Sequence, residues 1–383
     1  MFVFVQPFGL NSLGGGSRIL RALLKDAPVP FLSICTSPQA PPPSTVGQEL
    51  HFPIRPYFGR IESTRFSNIP NIFNFPLAGR FRYRLMNICR NVNATAIHAI
   101  AQGLCFWYAY QVAQELGLPY YLSVHDDLRY ALQHSLDLKE GMDKISEVWQ
   151  GAEGRFVISD ELGKEYCRRY GKKAYTIVTD GLDQVPAQPQ IRQINSYRIY
   201  FMGLFHISYE VNLKALLQAL EILHKLRLDW NLAVTCRCGS IRSQVLADRF
   251  PVTLLPFASE QEVIRDLEQA DMVYLPLPFG QEHESFVRYS LSTKMITYLG
   301  SGLPIIYHGP VEAAASQLLA QHQAAILINS LDPHCIAEGL IKAQEKTEAL
   351  VQNALDLAYK QFMLVEQKNK FWALLNRVEK YTG

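Results

Sequence analysis

The sequence lacks the features that would place it in a membrane or in an oxidising compartment. No segment reaches the roughly 18 uninterrupted apolar residues that a membrane-spanning helix needs. The 383 residues include seven cysteines, an odd number scattered along the chain. Cys236 and Cys238 are too tightly spaced for an ordinary zinc pair. We therefore expect no zinc site, and reduced cysteines in a cytoplasmic protein are the simplest interpretation.

Two short motifs that identify common cofactor sites are also missing. The G-x-G-x-x-G spacing of dinucleotide-binding folds is absent, so an NAD site has little support. No Asp-x-Asp pair is present, so we expect no bound metal ion. The formal net charge is only +2. Without a recognised RNA or DNA module, this balance gives no reason to expect nucleic-acid binding.

The pattern of apolar runs predicts an α/β protein with two doubly wound domains. Short apolar runs that do not alternate suit strands buried on both faces, and here they alternate with helical patterns. The length of 383 residues suits two domains of roughly 180 residues each. A polar, Pro-bearing linker follows residue 185. We predict a first domain over 1–186, a second over 187–365, and a last segment, 366–383, that packs back on the first domain as part of a helix from Asp356 to Tyr381.

Twelve strands are predicted from these runs. They are Phe2–Gln6, Pro30–Ile34, Thr95–Ala99, Tyr120–Val124, Arg155–Ile158, Tyr175–Val178, Arg198–Met202, Asn231–Thr235, Val252–Leu255, Met272–Leu275, Ile305–Tyr307 and Ala325–Ile328.

Residues 39–91 are the exception to this regular pattern. They are rich in proline, arginine and aromatic residues, and we predict an insertion on the first domain. Between residues 51 and 110 the chain has seven arginines and one glutamate. The Arg80–Arg90 segment interleaves arginine with aromatic residues, which favours either contact with an anionic membrane surface or a helix with a buried apolar side and solvated arginines.

The segment from Ser290 to Ile306 contains the strongest candidate for a phosphate site. Its hydroxyl groups and Lys294 stand at the start of a predicted helix, ahead of a buried strand. Unpaired N–H groups at a helix start attract phosphate, and a lysine adds a mobile positive charge. We predict that Ser292, Thr293 and Lys294 bind phosphate, with an ordinary helix-to-strand turn as the alternative.

Two further candidates lie where predicted strands end. A glycine triplet that includes Gly14 and Gly15 follows the first strand, and glycines let a backbone approach a ligand closely. A plain turn is the alternative there. His125 and Asp126 follow another strand, and catalytic groups gather at the carboxyl ends of parallel strands. A histidine can bond sugar hydroxyls and a carboxylate can act as a base, whereas the alternative is that Asp126 or Asp127 caps the next helix.

These motifs resemble those of the GT-B sugar-nucleotide glycosyltransferases. Residues 292–306 resemble a Ser/Pro-x-Lys-hydrophobic-x-Glu-Tyr-Leu-Ala-x-Gly-x-Pro-Val-Ile run that meets the donor diphosphate in that superfamily. Residues 120–126 resemble its hydrophobic-x-Thr-Val-His-Asp/Gly strand end. Weaker likenesses follow in the expected order at 156–183, 200–216, 256–263 and 271–277. The chain therefore resembles bacterial group 1, or family 4-like, members over nearly its whole length.

The resemblance implies the GT-B fold, with two Rossmann-like domains facing a cleft. It implies metal-independent transfer of a sugar from a nucleotide sugar, such as a UDP- or GDP-sugar, to a saccharide or lipid-linked acceptor. It also implies that His125 and Asp126 are catalytic, with Asp126 as the base if the reaction inverts the sugar. The implied donor-binding residues are Gly14, Gly15, Gly203, Arg237, Pro256, Phe257, Glu284, Ser292, Thr293 and Lys294. Polysaccharide biosynthesis and peripheral attachment to the inner face of the membrane are compatible expectations.

One departure from the family pattern concerns acidic residues. Many retaining members use two glutamates to touch the donor, and these positions align with Tyr289 and Thr297. A GT-B protein that binds a nucleotide sugar or a glycan without transferring it is therefore the alternative function. An epimerase of this fold is less favoured, because the sequence offers only His125 clearly for the acidic, His-rich cleft expected of such an enzyme.

The other departure concerns basic residues. Leu204 stands where arginine is common in the family, and Glu210 and Val211 stand where lysine is common. Lys294, together with Arg237 or Arg288, would then have to neutralise the diphosphate.

Overall fold

Two parallel β-sheets, one in each of two compact units, organise the chain. The computed structural model describes residues 1–59, 74–132, 138–189, 196–205, 207–227, 230–238, 250–257, 259–344 and 347–376. The first unit contains Met1–Asp180 and Leu364–Gly383, and the second contains Gly181–Met363. The predicted α/β class with two doubly wound sheets is confirmed, and the sequence-based boundaries after residues 186 and 365 lie close to the unit boundaries.

The first sheet has seven strands in the order β3-β2-β1-β4-β5-β6-β7. Strands β1, β4 and β5 are buried along their whole length, as expected of central strands covered on both faces. The strand order reverses between β1 and β4, and such a reversal leaves room for a ligand beyond the carboxyl ends of the strands. The strands are β1 Phe2–Gln6, β2 Phe31–Cys35, β3 Glu49–His51, β4 Ala96–Ile100, β5 Tyr120–Val124, β6 Gly154–Val157 and β7 Thr176–Ile177.

Helices connect these strands. They are α1 Gly15–Leu24, α2 Asn74–Asn91, α3 Cys105–Leu116, α4 Leu128–Leu132, α5 Leu138–Gly151 and α6 Asp160–Tyr170.

The second sheet has six parallel strands in the order β10-β9-β8-β11-β12-β13. Its strands are β8 Ser196–Met202, β9 Asn231–Arg237, β10 Val252–Leu255, β11 Met272–Pro276, β12 Ile305–His308 and β13 Ile326–Ile328. Its helices are α7 Glu210–Leu226, α8 Glu260–Gln269, α9 Glu284–Tyr289, α10 Thr293–Leu299, α11 Ala314–Gln321, α12 Pro333–Gln344 and α13 Thr347–Gln361. The reversal in this sheet lies between β8 and β11, so the segment after β8 reaches the switch point.

The last helical stretch differs from its prediction. The continuous helix predicted from Asp356 to Tyr381 is wrong, because α13 ends at Gln361 and a new helix, α14 Leu364–Leu375, begins after two residues. Those two residues pair with Leu182, whose N–H donates to the carbonyl of Phe362 at 2.8 Å. Residues 377–383 lie outside the described part of the chain.

Helix α14 packs inside the first unit. Its Trp372 indole donates to the carbonyl of Leu23 on α1 at 3.0 Å. Phe371 lies 4.8 Å from the ring centroid of Phe156 on β6. These contacts cover one face of the first sheet with aromatic side chains, which is where this unit buries much of its apolar surface.

Helix α3 and strand β3 are among the elements that the sequence reasoning did not name. Helix α3 is buried almost all round, so it shows no polar face to give a helical period. Strand β3 has three half-buried residues and lies in the irregular 39–91 segment. Across the described ranges, no helix has both the length and the apolar content needed to cross a bilayer.

Candidate functional site

The second unit brings Gly203 and Lys294 together beside the end of β8. Gly203 follows Met202 with φ of +92°, a conformation that side-chain-bearing residues rarely adopt. Its N–H donates to the carbonyl of Arg237 at 3.0 Å, which fixes the turn against β9. A Cβ atom at position 203 would lie 3.2 Å from Cδ of Lys294. The glycine therefore leaves the space that the lysine stem occupies.

The ammonium group of Lys294 lies over two aromatic rings. Nζ is 4.8 Å from the ring centroid of Phe201 and 5.0 Å from that of Tyr209. The negative faces of the rings attract the cation, and each such contact contributes about 0.5–2 kcal/mol. Within the part of the chain that the structure describes, no carboxylate forms an ion pair with Lys294. Burial lowers the pKa of Lys294 to about 8.

The aromatic residues around Lys294 lie in the segment where the GT-B family commonly has arginine and lysine and where this sequence has neither. Phe205 completes this cluster, with ring centroids 5.7 Å from Phe201 and 6.1 Å from Tyr209. Sequence reasoning missed this cluster, although the four-residue spacing of its members around Gly203 was a visible signal. Its chemistry differs from that of a basic pair, because ring faces can hold one cation but cannot neutralise phosphate themselves.

The other predicted phosphate-binding cations already have acidic partners. Arg237 pairs with Asp266 through two N–H groups, and Tyr200 also donates to that carboxylate at 2.8 Å. The guanidinium of Arg237 further donates to the carbonyl of Pro256 at 3.0 Å. Arg288 pairs with the predicted site residue Glu284 at 3.0 Å on the exposed side of α9. The structure shows the ion-pair partners of Arg237 and Glu284 within the second unit. A role for either residue in donor binding stays a prediction.

The remaining predicted residues of this unit lie at element ends. Ser292 is the N-cap of α10, and its hydroxyl accepts the N–H of Lys294 at 3.2 Å. Thr293 is the first residue of that helix, and its carbonyl accepts the hydroxyl of Thr297 at 3.3 Å. Phe257 is 44% exposed in the loop after β10. Ala258, the next residue after Phe257, lies outside the described residues.

The positions aligned with the family's two glutamates contain no carboxylate. Tyr289 is buried at the end of α9, and Thr297 is half-buried within α10. Among the residues that the structure describes, no group of three His, Cys, Asp or Glu side chains could hold a metal ion.

In the first unit, the glycine loop meets His125. Gly14 is the N-cap of α1 with φ of +135°, and Gly15 begins the helix. The next residue, Gly16, lies against the histidine, since a Cβ there would be 3.3 Å from Nδ1 of His125 and 2.9 Å from the ring of Phe8. The structure therefore brings the predicted glycine loop and His125 together, with Gly16 as the point of contact.

The electrostatic state of His125 follows from its burial. Its Nδ1 is buried and has no hydrogen-bond partner among the described residues. Burial lowers the pKa of His125 to about 4, so the ring is neutral at physiological pH. A neutral imidazole can donate one hydrogen bond and accept another, which suits contact with a sugar hydroxyl.

The two aspartates after His125 have different surroundings. Asp126 is half-buried directly beside the histidine, and its role as a base stays a prediction. Asp127 is fully buried and pairs with Arg169 through contacts of 3.0 Å to each carboxylate oxygen. It also accepts the N–H of Arg129 at 3.1 Å, so Asp127 performs the capping role that was the alternative for this pair.

Glu49 is a functional neighbour that sequence reasoning missed. Its carboxylate on β3 accepts the N–H of Leu10 at 3.0 Å, the amide of Gln6 at 3.3 Å and the hydroxyl of Ser33 at 2.9 Å. These bonds hold the start of the loop that leads to Gly14. No sequence signal pointed to Glu49, because β3 is short and shows no alternation.

Comparisons with known proteins place the fold. No family model matches the chain, and no curated protein matches it in sequence. Among solved structures, HepE from Anabaena in complex with UDP has a TM-score of 0.68 at 13% identity, over 98% of this chain and 99% of HepE. The trehalose-6-phosphate synthase OtsA has a TM-score of 0.66 at 12% identity, over 98% and 99%. A UDP-forming trehalose-phosphate synthase from Burkholderia xenovorans, in complex with glucose-6-phosphate, has 0.65 at 11%, over 98% and 100%.

These neighbours are GT-B glycosyltransferases, so the predicted resemblance is confirmed at the level of the fold. Identities of this size show a shared fold, while function has to be argued from the site.

Proposed function

We propose that the chain is a glycosyltransferase that moves a sugar from a nucleotide sugar to a saccharide or lipid-linked acceptor without a metal ion. The observation that carries this proposal is Lys294, a half-buried cation that lies over Phe201 and Tyr209 without a carboxylate partner in the described part of the chain. A cation left unneutralised beside a sheet switch point is suited to an anionic ligand. HepE, the structural neighbour solved with UDP, supports a nucleoside diphosphate as that ligand.

In this proposal Lys294 stabilises the departing group. When the bond between the anomeric carbon and the diphosphate oxygen breaks, negative charge grows on the diphosphate. A fixed cation in a site with little water stabilises that charge more than it stabilises the intact donor, and this difference lowers the barrier. UDP- and GDP-sugars are the donor classes we assign, because both leave as nucleoside diphosphates.

His125 has a separate role in the first unit. Its neutral ring would bond a sugar hydroxyl. Asp126 would accept the proton of the acceptor hydroxyl in an inverting reaction. Replacement of His125 by Ala is expected to lower turnover by about 10²-fold or more with little change in melting temperature. A matching loss of stability would show that the histidine is a packing residue.

The direct test is a transfer assay over a panel of UDP- and GDP-sugars with saccharide and lipid-linked acceptors. The proposal predicts acceptor-dependent release of a nucleoside diphosphate. The alternative is a GT-B protein that binds nucleotide sugar or glycan without transfer, and it is favoured by the absence of carboxylates at Tyr289 and Thr297. Tight binding of a nucleotide sugar with no release across the panel would select that alternative.

We also propose that α2 contacts an anionic membrane surface. Its apolar side is buried through Phe81, Leu85 and Cys89, so the helix packs on the protein and does not insert into lipid. Its opposite side exposes Tyr83 together with three arginines. Those arginines are Arg80, Arg84 and Arg90.

The arginines of α2 are not equivalent in this proposal. Arg82 pairs with Glu115 at 2.6 Å, so its charge is already neutralised. Each exposed arginine near an anionic surface contributes about 1 kcal/mol, and this attraction is screened by salt. Replacement of Arg80, Arg84 and Arg90 by Gln should abolish co-sedimentation with phosphatidylserine-containing vesicles at low salt. Arg82→Gln is the matched control and should retain it, and equal binding of wild type to neutral vesicles would contradict the proposal.

A further inference from the structure

Lys294 has the surroundings of a reactive amine as well as those of a phosphate ligand. Its stem lies against Gly203, and its Nζ is held over Phe201 and Tyr209 without a neighbouring carboxylate in the described ranges. Other lysines of the second unit differ: Lys342 pairs with Glu338 and Lys360 pairs with Asp356. Only the neutral form of an amine is a nucleophile.

The pKa of Lys294 sets both the fraction of its amine that is neutral and the reactivity of that neutral form. At pH 8, about half of an amine with a pKa near 8 is neutral, against about 0.4% for an ordinary lysine with a pKa of 10.4. The lower basicity reduces the reactivity of each neutral amine by roughly tenfold, if a Brønsted slope of about 0.45 is carried over from thiols. A net advantage of about tenfold remains for Lys294 over an ordinary exposed lysine at this pH.

An acyl phosphate would combine both properties of the site. Its phosphate group is attracted by the protonated form of Lys294, and its acyl carbon is an electrophile that the neutral form of the same amine can attack once that proton has passed to water. We propose that Lys294 is a modification site at which acyl phosphates transfer their acyl group to Nζ. This inference rests on the proposed function in one respect: acylation would remove the charge that holds the donor phosphates.

The transfer is chemically complete with these two reactants. The lone pair of neutral Nζ attacks the carbonyl carbon and forms a C–N bond. The C–O bond to the phosphate breaks, and inorganic phosphate leaves with the electron pair. The proton that the nitrogen loses passes to water or to the departing phosphate. The product is a neutral amide, which can neither form a cation–π contact nor neutralise a phosphate.

The test uses the full chain and acetyl phosphate, with the modified peptides quantified by mass spectrometry. Lys214 is the matched control, because it is an exposed lysine on α7 in the same unit. At pH 8, the initial rate of acetylation at Lys294 should exceed that at Lys214 by about tenfold. Added pyrophosphate or UDP should slow the reaction at Lys294 and leave Lys214 unchanged. Equal rates at the two lysines would overturn the inference.

The experiment also separates this inference from the proposed function. Faster acetylation of Lys294 that pyrophosphate slows, in a protein that binds no nucleotide by calorimetry, would support the modification site and contradict the nucleotide-sugar proposal. Nucleotide binding with equal acetylation rates at Lys294 and Lys214 would support the nucleotide-sugar proposal and contradict the modification site. Lys294→Gln, which mimics the acetylated side chain, should lose diphosphate affinity at least tenfold, and Lys294→Arg should recover most of it, since it keeps the charge.

Discussion

Lys294 and Asp127 are both charged side chains near the carboxyl edge of a sheet, one in each unit, but their surroundings differ. Asp127 is fully buried, and Arg169 and Arg129 neutralise it with several hydrogen bonds. Lys294 is half-buried and has only ring faces around its ammonium group among the described residues. A charge with a complete set of partners contributes to the native fold. A charge with incomplete compensation keeps the capacity to bind an oppositely charged ligand, so Asp127 has a structural role and Lys294 is the candidate ligand-binding residue.

The largest expected effect tests the structural side of this comparison. Asp127→Ala should lower the free energy of unfolding by about 3 kcal/mol, because Arg169 loses one of its two carboxylate partners in the described ranges and keeps only Glu165. Lys294→Ala should change it by less than about 1 kcal/mol, because the loss of the cation–π contacts is offset by relief of the burial cost that lowers the pKa of Lys294. Urea denaturation of the two variants and wild type measures both values. Equal destabilisation by the two substitutions would break the distinction.

Acid pH provides the next largest effect, through buried neutral histidines. Burial lowers the pKa of His98 to about 3 and that of His125 to about 4. In the unfolded chain each has a pKa near 6.5, so the unfolded state binds more protons and stability falls as the pH drops below about 6.5. When the pH falls from 7.5 to 5, each of these histidines should lower the free energy of unfolding by about 2 kcal/mol.

The His98→Gln variant isolates one of these contributions. Glutamine can keep the hydrogen bond to Ser123, which His98 makes through Nε2 at 2.7 Å, but it does not titrate. The loss of stability between pH 7.5 and pH 5 should therefore be about 2 kcal/mol smaller in His98→Gln than in wild type. The same loss in both proteins would show that His98 is not a source of acid sensitivity.

A smaller but more specific effect tests the functional side. Lys294→Ala should weaken the binding of UDP or GDP by about 1.5–3 kcal/mol, the size of a charge-assisted contact. Binding of the corresponding nucleoside should change little, because it lacks the phosphates. Lys214→Ala removes an exposed lysine from the same unit and should bind both ligands as wild type does. Isothermal titration calorimetry checks all three proteins, and unchanged diphosphate affinity in Lys294→Ala would remove the phosphate role.

The smallest predicted effect is the pH dependence of that affinity. The pKa of Lys294 is lowered to about 8, and only the protonated form attracts phosphate. Affinity for the diphosphate should therefore fall as the pH rises from 7 to 9, by about tenfold or about 1.4 kcal/mol. Titrations at several pH values with wild type and Lys294→Arg measure this, because arginine stays charged throughout. A decline of the same size in Lys294→Arg would assign the titration to another group.

The fold was predictable because its signals are local. Strands β1 and β5 have the predicted bounds, since a short apolar run closed by polar residues marks a strand buried on both faces. Helix α3 was not predicted, because a helix covered on all sides has no polar face. The break between α13 and α14 depends on pairing with Leu182, a residue far away in the sequence.

The candidate site was predictable in part. Lys294 was identified from its position ahead of a predicted strand and His125 from its position after one, and their roles in ligand binding stay predictions. The partners that occupy Arg237 and Asp127 could not be found in this way, because Asp266 and Arg169 meet them only through the tertiary fold. Sequence position therefore indicated which charges lie near the site, and only the structure showed which of them are already neutralised.

The most direct test of the central claim is a crystal structure of the chain with the nucleoside diphosphate that binds most tightly in calorimetry. We predict that Nζ of Lys294 leaves the ring faces of Phe201 and Tyr209 or remains at their edge, within about 3.2 Å of a phosphate oxygen. A diphosphate bound elsewhere, with Lys294 still over both rings and far from any phosphate, would contradict it.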